Sequence, residues 1–164
     1  MSAAEPRRRD RPPPRTGPGE KEVLTGFLDY LRESALAKVD GVPERDLRTP
    51  GVPSGTNLLG LIEHLAHVER FVFLGERPRD WSATFHVAPG RSARDVVRGY
   101  REAVAAADRA VAACADLDRP AHAGSPGGPA PSMRWALAHM IEETGRHAGH
   151  LDILRELTDG RTGR

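Results

Sequence analysis

Between Lys21 and Gly160 the apolar positions recur at steps of three and four, and the pattern predicts four helices separated by long polar crossings. The first covers about Lys21 to Val39, with Val23, Leu24, Phe27, Leu28, Leu31, Ala35 and Leu36 on one face and Asp40-Gly41 as its stop. The second begins near Ser54 or Thr56 and runs to Leu74-Gly75 behind a broad stripe of Leu58, Leu61, Ile62, Leu65, Val68 and Val72. The third opens at Ser92, where Asp95 completes a carboxylate version of the capping box. Its apolar set is Val96, Val97, Tyr100, Val104, Ala107, Val111 and Cys114. The fourth is the longest. Ser132 caps it after Pro131, Asp159-Gly160 ends it, and Met133, Leu137, Met140, Ile141, Ala148 and Leu151 form its apolar arc.

The crossings differ in character. Residues 42–53 hold three prolines and read as a loop, and Asp116 to Pro131 is Gly/Pro-rich, with His122 expected in solvent. Gly75 to Gly90 contains Trp81 and Phe85 and is too aromatic for a plain solvated loop. Thr84 to Val87 fits a short strand, and a lid or packing patch over the bundle end fits as well. Four helices without a repeat signal predict an all-α fold, an antiparallel four-helix bundle whose helix order the long connections leave open. Residues 1–20 stand apart, with prolines at 6, 12, 13, 14 and 18 and arginines at 7, 8, 9, 11 and 15. That segment cannot bury enough surface to offset its ordering entropy, so it is expected to be a disordered arm beside one domain over 21–160.

Composition narrows the function classes. At 164 residues the chain is long enough for one domain with a real core, and its formal net charge of +1 gives no reason to expect a nucleic-acid partner. Lysine occurs only at Lys21 and Lys38, an arginine bias that fits GC-rich coding rather than a functional basic surface. The single cysteine, Cys114, excludes an internal disulfide and a Cys-based metal site, and is expected to be a small buried hydrophobe. No apolar run approaches the roughly 18 residues of a membrane span, and no signal-peptide pattern is visible, so a cytoplasmic location is expected.

The chemistry lies on the second and fourth helices. His139, Glu143, His147 and His150 follow one another at steps of four, four and three along one edge of the fourth helix's apolar arc. Glu143 and His147, one turn apart, are placed to close on a single divalent cation; the competing reading is a surface hydrogen-bonded pair worth a few tenths of a kcal/mol. On the second helix, the wheel places His64 at the edge of the apolar stripe between Val68 and Phe71. It places His67 on the polar side with Gly60 and Glu63. Bundles build metal sites from ligands on facing helices, so His64, Glu143 and His147 form the candidate set. Two imidazoles and a carboxylate leave one or two positions open, as at catalytic sites, and suit Zn2+, with Fe2+, Ni2+ or Mn2+ as alternatives. His150 and His139 are candidates for orienting a ligand or carrying a proton, against a reading as plain boundary histidines.

Two stretches also carry a resemblance. Ser54-Gly-Thr-Asn-Leu-Leu-Gly-Leu-Ile-Glu-His-Leu-Ala-His-Val-Glu-Arg70 and the run from Met133 to Arg155, with Glu142-Glu-Thr-Gly-Arg-His-Ala-Gly-His150 inside it, resemble the DinB-like superfamily. Within it they resemble the actinobacterial branch of mycothiol-dependent maleylpyruvate isomerase N-terminal domains and mycothiol S-transferases. The resemblance implies a four-helix bundle, commonly a homodimer, with a divalent metal held by His64, Glu143 and His147. It implies a small thiol such as mycothiol as cosubstrate and an electrophilic small molecule as its acceptor. Metal-assisted hydrolysis and a non-catalytic, metal-stabilised stress-response bundle are the alternatives.

Overall fold

The computed structural model describes residues 12–123 and 128–163. Among them the chain forms α1 (Glu20–Ala37), a short α2 (Glu44–Arg48), α3 (Leu58–Leu74), a 3-10 turn (Ser82–Phe85), α4 (Ala93–Ala113) and α5 (Met133–Asp159). The four long helices match the apolar periodicity. Of the expected arm, residues 1–11 lie outside the described residues, and residues 12–19 are exposed and carry no helix or strand. Among the described residues no helix is long and apolar enough to cross a membrane.

The helix ends follow local chemistry. Ser92 accepts from the Asp95 amide and the Asp95 carboxylate accepts from Ser92, the reciprocal pair that starts α4. Ser132 accepts from the Trp135 amide to start α5, and Gly160, at φ 76°, closes it in the left-handed region. The cap of α3 is Asn57, whose side chain accepts from the Gly60 amide, rather than Ser54 or Thr56. Those two residues hydrogen-bond each other in the loop before it. Between α4 and α5, Ala121 donates to Pro131 and Met133 to Arg119, an antiparallel bridge that fixes where α5 begins. His122 is half-buried against Gly75 rather than in solvent, and Cys114, the C-cap of α4, is half-exposed, its thiol donating to the Asp116 carbonyl.

Two buried layers set the helix directions. One joins Ala35 and Val39 with Leu58 to Ala66, Val96 to Ala103, Leu151 and Leu154; the other joins Leu28 with Val68 to Phe73, Ala107, Val111 and Met133 to Met140. Helices α1 and α5 therefore ascend together while α3 and α4 descend together. Glu20–Arg134 and Lys38–Asp152 ion pairs hold the parallel α1/α5 pair in register. The bundle is thus built from two parallel pairs, antiparallel to each other, which only the length of the 75–92 crossing allows. Opposite the α3/α5 seam, an open groove lined by Asp29, Arg32, Leu36, Arg101, Val104 and Asp108 separates α1 from α4.

Helix α3 lies at the centre, buried from Leu58 through Glu69 except at His67, because α2, the 3-10 turn, α4 and α5 all pack on it. Burial on so many sides brings charge inside. Glu69 is fully buried and receives Nε and Nη2 of Arg32, each at 2.7 Å, while Arg32 Nη1 reaches Asp29 and Asp108 at 2.8 Å. Burial opposes the charge on Arg32, but Glu69 and then Asp108 more than offset it and hold the guanidinium protonated. At the other end, buried Arg155 donates from Nη1 to the Lys38 and Asp40 carbonyls, so the cation that α1 lacks in its own last turn comes from α5. On α1 itself, Val23 and Phe27 of the expected core face are 37% and 39% exposed.

Candidate metal centre

His64 projects from the middle of α3 toward α5, where Glu143 and His147 stand one helical turn apart. The structure brings the three together: one ligand atom from each lies within 4.8 Å of the others. Glu143 Oε1 is the common neighbour, 3.4 Å from His64 Nε2 and 3.1 Å from His147 Nε2. Ligands about 2.0–2.1 Å from a tetrahedral Zn2+ stand about 3.3 Å apart, so the two spacings to Glu143 match those around one small divalent ion. The donor set fits as well, with two imidazole nitrogens and one carboxylate oxygen converging from facing helices.

The surroundings push these groups toward the forms that bind a cation. Burial, then the neighbouring His147, lowers His64 to about 4 against the opposing pull of Glu143. Burial likewise lowers His147, again against Glu143. For Glu143, burial acts upward but is outweighed by His147, His64 and Arg146, so its carboxyl is held below the usual carboxylate range. Its second oxygen faces Arg146 at 3.4 Å. At neutral pH the site presents two neutral imidazoles and one carboxylate.

The aromatic connector turns out to be part of this site. Residues 82–85 form a 3-10 turn rather than a strand, and it lies over His64. Phe85 stacks on the His64 ring with centroids 3.8 Å apart and planes 12° from parallel, while Trp81 meets His64 and Phe71 edge-on. The turn can come this close because residue 60 is glycine. A Cβ there would lie 2.2 Å from the Phe85 carbonyl oxygen, a backbone atom that cannot swing aside. Gly60→Ala is therefore expected to cost roughly 1–3 kcal/mol, as overpacking does, or to lift the turn off α3. Thermal melts together with the fluorescence of Trp81 would read either outcome, and an unchanged melt and spectrum would refute the close approach. Gly60 and Glu63, on the polar side of the wheel, are both buried.

The other candidate histidines separate. His150 is exposed, with its Nδ1 3.3 Å from His147 Nδ1, so it adjoins the triad from solvent. His139 stacks on Trp135 and faces Glu142 at 3.7 Å; it is not among the converging ligand atoms. His67, with a side chain 40% exposed, faces Glu63 at 3.6 Å and likewise stays outside the set. Thr84 was not singled out in the sequence, because nothing in a connector's composition says which side chain will meet a ring on another element.

A family model described as mycothiol-S-transferase matches residues 23–160, most of the chain. No curated protein matches it.

Proposed function

We propose a function on the premise which that match supplies: this chain belongs to the mycothiol S-transferase family. It is an enzyme that moves the sulfur of a small thiol, mycothiol or a close analogue, onto an electrophilic small molecule. The observation that carries this reading is the convergence of His64, Glu143 and His147 within 4.8 Å. His64 Nε2, Glu143 Oε1 and His147 Nε2 would hold the ion, for which Zn2+ is the best match. Bound there, a divalent ion supplies a Lewis acid that lets a thiol ionise near neutral pH.

The protein's own groups do the rest. The three side chains would hold the ion and, being only three, would leave one or two of its coordination positions for the thiol, while Phe85 and Trp81 cover the His64 side. The thiol gives up its S–H proton to solvent water, its sulfur pair forms the new C–S bond, and the acceptor's bond to its leaving group breaks as that group departs with the bonding pair. His150, exposed and 3.3 Å from His147 Nδ1, is placed to accept that Nδ1–H, steadying the ring and linking it to solvent. The contacts of His139 with Trp135 and Glu142 give it no part in this scheme.

The test is turnover of a panel of electrophiles by metal-loaded protein, with thiol or metal withheld in turn. Loss of turnover on omission of either is expected. Turnover that needs the metal but no thiol would replace transfer by hydrolysis, and none across the panel would leave a binding module. Glu143→Gln preserves shape and removes the charge that offsets part of the metal's. Metal affinity is expected to fall by about 10–100-fold. In metal-saturated protein the acidic limb of the pH–rate profile is expected to move to lower pH, since a less neutralised ion ionises its ligand more readily. An unchanged profile with undiminished metal content would remove Glu143 from the ligand set.

A further inference from the structure

We infer that Thr84 is a positioning residue, which fixes His64 as the Nδ1–H tautomer and so commits its Nε2 lone pair to the face shared with Glu143 and His147. Thr84 is buried, 4% exposed, on the 3-10 turn. Its Oγ1 lies 2.6 Å from the Trp81 carbonyl oxygen and 2.7 Å from His64 Nδ1. A carbonyl can only accept, so the single hydroxyl proton goes to Trp81 and the Thr84 oxygen is left to accept from His64. Nδ1 must then carry the proton, and in the neutral ring Nε2 is left bare.

That bare nitrogen faces Glu143 Oε1 at 3.4 Å, one lone pair toward another. Such an arrangement is unfavourable by itself and becomes favourable once a cation lies between them. The alternative tautomer would place a proton on Nε2, satisfy Glu143 internally and close the site against an ion. Thr84 thus blocks the self-satisfied arrangement. Phe85 stacks on the ring from the same four-residue turn, and Gly60 lets that turn seat, so ring plane and tautomer are set together.

This inference rests on the metal-centre reading, but its first test needs neither metal nor thiol. In metal-free protein with 15N-labelled histidine, long-range proton–nitrogen correlation distinguishes protonated from bare ring nitrogens. For wild type, a protonated Nδ1 and a bare Nε2 are expected at His64; the opposite assignment overturns the proposal whatever the protein catalyses. Thr84→Val keeps the shape and removes the acceptor. It is expected to move the proton to Nε2 and to weaken zinc binding by about 10–100-fold in titrations against a competing chelator. Thr84→Ser, which keeps the hydroxyl, is expected to restore the wild-type tautomer and zinc affinity within a few-fold. Retention of the Nδ1–H signal by Thr84→Val, or zinc loss by Thr84→Ser as large as by Thr84→Val, would show that Thr84 only packs. Should Thr84→Val not fold, the wild-type tautomer and the Thr84→Ser titration still decide the matter.

Discussion

Glu69→Ala is expected to destabilise the protein by about 3–5 kcal/mol, a large share of the roughly 5–15 kcal/mol that holds a domain of this kind. The reason is what the substitution leaves behind. Arg32 is 4% exposed, and two of its three guanidinium nitrogens end on Glu69 at 2.7 Å. Without the carboxylate, a buried cation keeps only Asp29 and Asp108 on its Nη1, both on the rim of the α1/α4 groove. Replacing both partners by apolar residues, as in Arg32→Met with Glu69→Leu, removes the charge and its desolvation together. That double variant is expected to recover most of the lost stability, and the strong non-additivity would identify the pair as one unit. Urea unfolding of wild type, the two singles and the double measures this directly. A loss below about 1 kcal/mol for Glu69→Ala, the scale of exposed pairs, would contradict the burial. Stoichiometric metal in whatever fraction stays folded is expected to be unchanged, since neither residue belongs to the triad.

The second large effect separates two histidines three residues apart on α3. His64→Ala is expected to abolish stoichiometric metal, because it removes one of the three ligand atoms that converge among the described residues and leaves two that are both on α5. His67→Ala is expected to retain it. His67 faces Glu63 at 3.6 Å, with a side chain 40% exposed, and is not among the converging ligands. Elemental analysis of both variants after gel filtration reads the difference, and a reversed result would overturn the site. The pH dependence follows from the same burial. A free imidazole at 6.5 would be lost to protons on mild acidification, whereas His64 stays neutral to about 4. Wild type is therefore expected to keep its metal at pH values below 6.5, where a surface histidine site would release it.

Much of the fold is written in local chemistry. The Ser92/Asp95 box, the Ser132 cap and the Gly160 stop set the limits of α4 and α5, since capping depends on residues within one turn of each other. The convergence of His64 with Glu143 and His147 was legible for the same reason. A spacing of four stacks two side chains on any helix, and the edge of an apolar arc points at a neighbour in any bundle.

What lies on another element's surface was not legible. Gly60 and Glu63 read as polar-side residues on a wheel of α3 alone; they are buried because the 3-10 turn and its neighbours cover that side as well. Nothing in the periodicity marks Arg32, Lys38, Glu69 or Arg155 as interior charges, yet each is buried against a partner from 37 to 125 positions away. Separation along the chain also hid the parallel pairing of α1 with α5 and, over 20 positions, the contact of Thr84 with His64. Periodicity reports which face of a helix is apolar. Only the packed molecule decides how many faces are covered, and by which atoms, because burial is a property of the assembled elements and not of any one of them.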